Sequence, residues 1–121
     1  MDYRMGAAET RFAEIIWDNA PVSSGELVRL SGEKLGWKKS TAYTVLRRLC
    51  DKGLFRNEDG VVSVLVDRTG YEESQSRQFV SDSFGGSLPA FLAAFTARKK
   101  LTEKEISELE KLIDEAREGL K

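Results

Sequence analysis

A concentration of cations between residues 37 and 56 is the part of this sequence best suited to contact a charged partner. Six cations lie there against one acid, Asp51, so the segment carries +5 in a chain whose total charge is −1. The rest of the chain therefore carries −6. A cationic segment on an otherwise acidic protein is typical of a surface that contacts phosphate groups, although a solvated helix can carry the same charges. The six cations are Lys38, Lys39, Arg47, Arg48, Lys52 and Arg56.

The same segment has the periodicity of an amphipathic helix over about Lys39–Lys52. Its apolar residues recur at helical spacing and form one stripe, which consists of Ala42, Val45, Leu46 and Leu49. Gly53 is placed to end the helix in a left-handed conformation. The opposite face carries hydroxyls, an aromatic ring and arginines, namely Ser40, Thr41, Tyr43, Thr44, Arg47 and Arg48.

These outward side chains suit the major groove of double-stranded DNA. Arg47 is long enough to reach O6 and N7 of guanine, and Thr44 and Ser40 can reach base edges or phosphate. Tyr43 can bond a phosphate or pack on a thymine. Lys38 and Lys39, together with the N-terminal amides at Ser40 and Thr41, suit the phosphate backbone, and Arg56 can reach phosphate or the minor groove.

The elements around this helix predict a winged helix-turn-helix. A first helix runs from about Ala8 to Asn19, and Pro21 prevents it from continuing. A second helix is capped by Ser23 or Ser24 and broken at Gly36 and Trp37. After Gly53 the pattern changes to two strands, 54–56 and 61–66, joined by a turn at 57–60. The fold class is thus mainly α with a small β-hairpin, and a generic α+β domain is the alternative.

The remaining residues predict a helical region with sparse apolar faces. One helix runs to about Phe84 from a capping box at Thr69 and Glu72, Ser87 caps the next, and Thr102 and Glu105 begin the last. We expect a winged-helix domain over 1–67 and a helical dimerisation region over 68–121. The residues expected at the dimer interface are Phe79, Phe84, Phe91, Leu92, Phe95, Ile106, Leu109, Leu112 and Ile113.

Composition argues against catalytic, metal and membrane roles. The chain has no histidine and one cysteine, Cys50, so the commonest general base and any zinc site of Cys/His type are lacking, and we expect no cofactor or metal. We interpret Cys50 as an inert thiol, with a redox sensor as the alternative. Without a long apolar run or a signal sequence, the expected location is the cytoplasm.

Several ordered runs resemble the penicillinase-repressor family of winged-helix transcriptional repressors. In the first part they are Ile15–Asp18, Pro21–Ser23, Lys39–Leu49 and Lys52–Leu54. In the tail they are Phe84–Leu88, Phe91–Phe95, Leu101–Thr102 and Glu105–Leu109. The resemblance extends over nearly the whole chain.

The resemblance implies a homodimer on an inverted-repeat operator, repressing a β-lactam-resistance-like or other stress-response operon. It also implies a sensor protease that ends repression by cutting the tail. The matching bond is Ala94–Phe95, where alanine stands in place of the family's usual asparagine. No cysteine cluster of the family's copper-sensing branch is present. The acidic wing tip, Glu58 and Asp59, keeps a second hypothesis open, a winged-helix protein–protein interaction module without specific DNA binding.

Overall fold

The computed structural model describes residues 2–120, which form six helices and three short strands. Contacts within the chain divide it into two compact units, residues 1–78 and 79–121. The predicted functional division between residues 67 and 68 stays a prediction. In chain order the elements are α1 (Ala7–Asn19), β1 (Val22–Ser23), α2 (Ser24–Leu35), α3 (Lys39–Asp51), β2 (Phe55–Glu58), β3 (Val61–Val64), α4 (Arg68–Phe84), α5 (Leu88–Thr96) and α6 (Glu103–Glu118).

The first unit is a winged helix whose core lies between its three helices and its sheet. The predicted apolar stripe of α3 is buried, and it packs with the buried faces of α1 and α2. Phe12 of α1 is fully buried and stacks on Trp37 with ring centroids 5.2 Å apart. The core residues are Phe12, Ala13, Ile15, Ile16, Leu27, Leu30, Ala42, Val45, Leu46, Leu49, Leu54, Phe55 and Val62. The predicted fold class is confirmed.

The helix boundaries follow the local signals in the sequence. The Ser23 hydroxyl accepts a hydrogen bond of 3.0 Å from the amide of Glu26, which caps α2. Gly36 ends α2 with φ of 70°, a left-handed conformation that glycine adopts without steric cost. Gly53 follows α3 with φ of 85°. The predicted cap of α2 and both helix ends are therefore confirmed.

The sheet has three strands in the order β1–β3–β2, one more than the predicted hairpin. β2 pairs antiparallel with β3 from Phe55 opposite Val64 to Glu58 opposite Val61, which leaves a two-residue turn at Asp59 and Gly60. Both turn residues have positive φ, as tight hairpins require. The four-residue turn was therefore predicted too long. β1, which pairs Val22 with Val62, was missed because two residues are too few to show a periodicity.

The start of α4 corrects a predicted cap. The Asp67 carboxylate accepts a hydrogen bond of 2.7 Å from the amide of Gly70, so Asp67 takes the place that we assigned to Thr69. A β-carbon at Gly70 would lie 3.0 Å from that same carboxylate oxygen, so a larger residue there would require the Asp67 side chain to shift by a few tenths of an ångström. The capping box at Thr69 and Glu72 was wrong because Asp67 reaches the same first turn two residues earlier.

The second unit has no buried residue within its described part, residues 79–120. Four phenylalanine rings form a cluster with centroids 5.4–6.0 Å apart. Phe79, Phe84 and Phe91 contact one another, and Phe91 also contacts Phe95. Ser87 caps α5, and Thr102 and Glu105 form the predicted capping box of α6. No helix within residues 2–120 is long and apolar enough to cross a membrane.

Candidate nucleic-acid interface

The exposed face of α3 presents the side chains that the sequence predicted. Since the apolar stripe faces the core, every outward position lies on the solvent side of the first unit. The predicted contact residues that are exposed there are Lys38, Lys39, Ser40, Thr41, Tyr43, Thr44, Arg47 and Arg48. The helix therefore offers hydroxyls, one phenol and four cations on one continuous surface.

The N-terminus of α3 has no side-chain cap. Lys38 occupies the capping position and makes no capping hydrogen bond with its side chain. The first amides of this 13-residue helix therefore lack a side-chain acceptor, next to the ammonium groups of Lys38 and Lys39. Unpaired helix amides and adjacent cations both favour an anion, so this end of α3 is suited to a phosphate group.

The contacts that side chains in the middle of α3 make within the chain determine which of their groups remain available to a partner. The Thr44 hydroxyl donates a hydrogen bond of 2.9 Å to the carbonyl oxygen of Ser40, which leaves its oxygen to accept and its methyl group to pack. The Lys39 ammonium lies 6.0 Å from the centroid of the Tyr43 ring. No acidic residue within residues 2–120 forms an ion pair with Arg47. The Arg47 guanidinium is thus available to an external acceptor.

A cleft of about 310 Å³ beside α3 contains one residue that sequence reasoning missed. Asn57 of β2 lines it together with Tyr43, Arg47 and Cys50. Its amide can both donate and accept hydrogen bonds. The only signal in the sequence was its position in the wing, where we assigned it to a turn.

Two predicted contact residues lie close to acids of the same chain. The Arg48 guanidinium is 3.8 Å from the Glu9 carboxylate, and the Arg56 guanidinium is 3.8 Å from the Glu58 carboxylate. Arg56 is exposed in β2, on the wing and not on α3. Glu9 was missed by sequence reasoning because it lies in α1, 39 residues before Arg48.

Cys50 lies on α3, where it is partly buried beside the cleft that Tyr43, Arg47 and Asn57 line. Partial burial raises the pKa of its thiol, and the charge of Asp51 raises it further. The thiolate form that reacts with oxidants is therefore disfavoured, which agrees with the interpretation of Cys50 as an inert thiol.

The tail residues expected at a dimer interface are largely accessible in the single chain. Phe91, Leu92, Phe95, Leu109 and Leu112 line a mainly apolar cleft of about 270 Å³ within the second unit. Phe79, Phe95, Ile106, Leu112 and Ile113 are exposed. Ala94 and Phe95, which form the predicted cleavage bond, are both exposed within α5.

The sequence model of the penicillinase repressor family matches residues 5–115 of the chain. The chain belongs to this family. Its members are transcriptional repressors, so the protein is a regulator of transcription and not an enzyme. The match includes the winged helix and most of the helical tail.

Individual relatives are similar over most of their length. The penicillinase repressor of Bacillus licheniformis is 28% identical over 112 residues, which are 89% of this chain and 88% of the relative. The methicillin resistance regulatory protein MecI of Staphylococcus aureus strain Mu50 is 24% identical over 116 residues, or 93% and 94% of the two chains. The protein of the same name from Mammaliicoccus sciuri is 23% identical over 116 residues.

Proposed function

We propose that this repressor binds double-stranded DNA as a homodimer at an inverted-repeat operator and blocks transcription by occupying the promoter. Helix α3 is the observation that carries the proposal, because it combines a buried apolar stripe with an exposed face of hydroxyls and of Arg47, which pairs with no acid within residues 2–120. A helix of this kind fits the major groove, where its side chains reach base edges. Repression then requires only that the bound protein exclude polymerase.

Base reading is assigned to the middle of α3 and phosphate binding to its N-terminal end. Arg47 contacts guanine, while Thr44 and Ser40 contact base edges or phosphate. Lys38, Lys39 and the first amides of α3 hold the phosphate backbone, with Thr41 and Tyr43 beside them. Arg48 and Arg56 flank this surface, and each lies near an acid of its own chain.

Dimerisation is supported by the apolar surface of the second unit. Phe95, Leu112 and Ile113 are each more than half exposed, and burying one such side chain is worth about 1.5–3 kcal/mol. A second copy of the chain can cover this surface and supply the two-fold symmetry that an inverted repeat requires. We expect the two recognition helices to enter major grooves about 34 Å apart.

The regulated genes, the location and the switch are assigned from the family. The names of the relatives refer to penicillinase and methicillin resistance, which supports regulation of a β-lactam-resistance-like or other stress-response operon. A repressor that binds this operon would act in the cytoplasm. Induction by a sensor protease would cut Ala94–Phe95. Because this bond lies within α5, the last turns of the helix would have to unwind before cleavage.

A fluorescence-anisotropy titration tests DNA binding. The purified protein is added to a labelled duplex from upstream of its own gene and to a scrambled duplex of equal length, over a range of salt concentrations. Phosphate binding predicts an affinity that falls steeply with salt, and base reading predicts tighter binding to the upstream duplex. Indifference to both duplexes at low salt would favour the protein–protein interaction module, which the acidic wing tip suggests.

A further inference from the structure

The six cations of the basic segment fall into two groups by their surroundings. Three lie within ion-pair distance of a carboxylate of the same chain, namely Arg48, Lys52 and Arg56. For Lys38, Lys39 and Arg47 the structure records no ion pair with any residue between 2 and 120. The positive charge of the segment is therefore not equally available to an external phosphate.

Glu9 of α1 accounts for two of the three paired cations. One oxygen of its carboxylate lies 3.1 Å from the Lys52 ammonium, and the other lies 3.8 Å from the Arg48 guanidinium. Lys52 also donates a hydrogen bond to the backbone carbonyl of Arg4. The side chains of Glu9 and Lys52 are only 18% and 26% exposed, so this pair is shielded from water on most sides. Arg48 is 54% exposed and retains access to solvent.

We propose that Glu9 restrains Arg48 and Lys52 and so limits the contribution of the C-terminal end of α3 to DNA binding. This inference rests on the proposed function. Each cation that neutralises a phosphate strengthens binding to any sequence, whereas specificity depends on the base contacts. Holding two cations against Glu9 weakens binding to unrelated DNA and leaves Arg47 and the N-terminal end of α3 to act. Glu9 is thus a positioning residue that raises the ratio of specific to non-specific binding.

The first test replaces Glu9 by glutamine, which keeps the size of the side chain and removes its charge. Glu9→Gln should bind the scrambled duplex several-fold more tightly at low salt. The plot of log affinity against log salt should steepen by about 1–2, since each added phosphate contact contributes about 0.9. Glu14→Gln is the matched control, because it makes the same charge change on α1 at an exposed residue that interacts with Arg68. It should leave the slope nearly unchanged.

The second test removes one of the restrained cations. Arg48→Ala should lower the slope of the otherwise unchanged protein by clearly less than one unit, because the charged Glu9 carboxylate competes with phosphate for the Arg48 guanidinium. In the Glu9→Gln background, Arg48→Ala should abolish about one unit of the gained slope. The single Arg48→Ala variant tests the inference by itself if circular dichroism shows that Glu9→Gln does not fold.

The outcomes separate the inference from the proposed function. If the unchanged protein binds neither duplex at low salt, both are overturned. If it binds normally and Glu9→Gln matches Glu14→Gln, only the restraint by Glu9 is overturned. A loss of about one unit of slope in Arg48→Ala alone would likewise reject the restraint, because Arg48 would then already contact phosphate.

Discussion

The indole Nε1 of Trp17 donates a hydrogen bond of 2.9 Å to the backbone carbonyl oxygen of Val66. This bond joins α1 to the chain just after β3, across 49 residues of sequence. The Trp17 ring also packs against Phe55 and Tyr71, with centroids 5.7 Å and 5.6 Å away. Trp17 therefore links α1, the wing and the first turn of α4 within the first unit.

Replacing Trp17 by phenylalanine tests the value of this bond. The variant keeps an aromatic ring but leaves the partly buried Val66 carbonyl without its donor, so we expect a loss of about 1–3 kcal/mol in the free energy of unfolding. Urea denaturation followed by circular dichroism measures it. Trp37→Phe is the control, since Trp37 stacks on Phe12 and the structure records no side-chain hydrogen bond for it within residues 2–120. Equal losses in both variants would show that the indole bond adds nothing.

Arg47→Ala tests the assignment of base reading on α3. We expect it to weaken binding to the operator by about 1–3 kcal/mol and to relax discrimination at the base pair that Arg47 contacts. Anisotropy titrations with the upstream duplex and single-base variants of it measure both effects. Unchanged affinity would reject the role of Arg47. Arg48→Ala is the comparison for the loss of one arginine, and it should change discrimination between single-base variants of the duplex less than Arg47→Ala does.

Leu112→Glu tests the dimer surface. Leu112 is 61% exposed and lines the apolar cleft of the second unit, so a carboxylate there should not disturb the isolated chain. Burying a leucine is worth about 1.5–3 kcal/mol, and we expect the dimer dissociation constant to rise at least about tenfold. Sedimentation equilibrium measures the change.

The matched control for the dimer is Ser107→Glu. It adds the same charge to the polar side of α6, which also carries Glu110, Lys111 and Asp114. The Ser107→Glu variant should remain as dimeric as the unchanged protein. If Leu112→Glu dimerises equally well, the interface lies elsewhere on the chain.

We expect the stability of α6 to depend on pH because of the Glu105 carboxylate. A hydrogen bond of 2.9 Å from the Thr102 amide, together with the Thr102 side chain, lowers the pKa of Glu105 below its ordinary value of 4.5. A lowered carboxyl pKa stabilises the folded state at pH values above the ordinary pKa, and this contribution is lost as the pH falls through the lower folded value. Helix content measured by circular dichroism should therefore fall below about pH 4.5.

Glu105→Gln should lessen that acid-induced loss, because the amide cannot be protonated in this range. Glu103→Gln is the control, since Glu103 lies in the same first turn but takes no part in the capping box. An identical pH profile for all three proteins would contradict the role of the Glu105 carboxylate.

The sequence alone determined the winged helix, the amphipathic α3 and the caps of α2, α5 and α6, because each depends on neighbouring residues. The apolar stripe of α3 needs only helical periodicity, and Ser23, Ser87 and Thr102 bond amides three residues away. The same periodicity placed Arg47 outward. The cap of α4 also depends on neighbouring residues, but we assigned it to Thr69 instead of Asp67 because Thr69 and Glu72 have the spacing of a capping box.

Only the tertiary structure decided the relationships between distant parts of the chain. β1 exists because β3 lies beside it, and Glu9 is matched to Lys52 because α1 packs near the end of α3. Sequence periodicity records which side of an element is buried, but it does not record which residue of another element lies opposite. The cations of α3 were therefore predictable from the sequence. Which of them lie near Glu9 and which face only solvent was not.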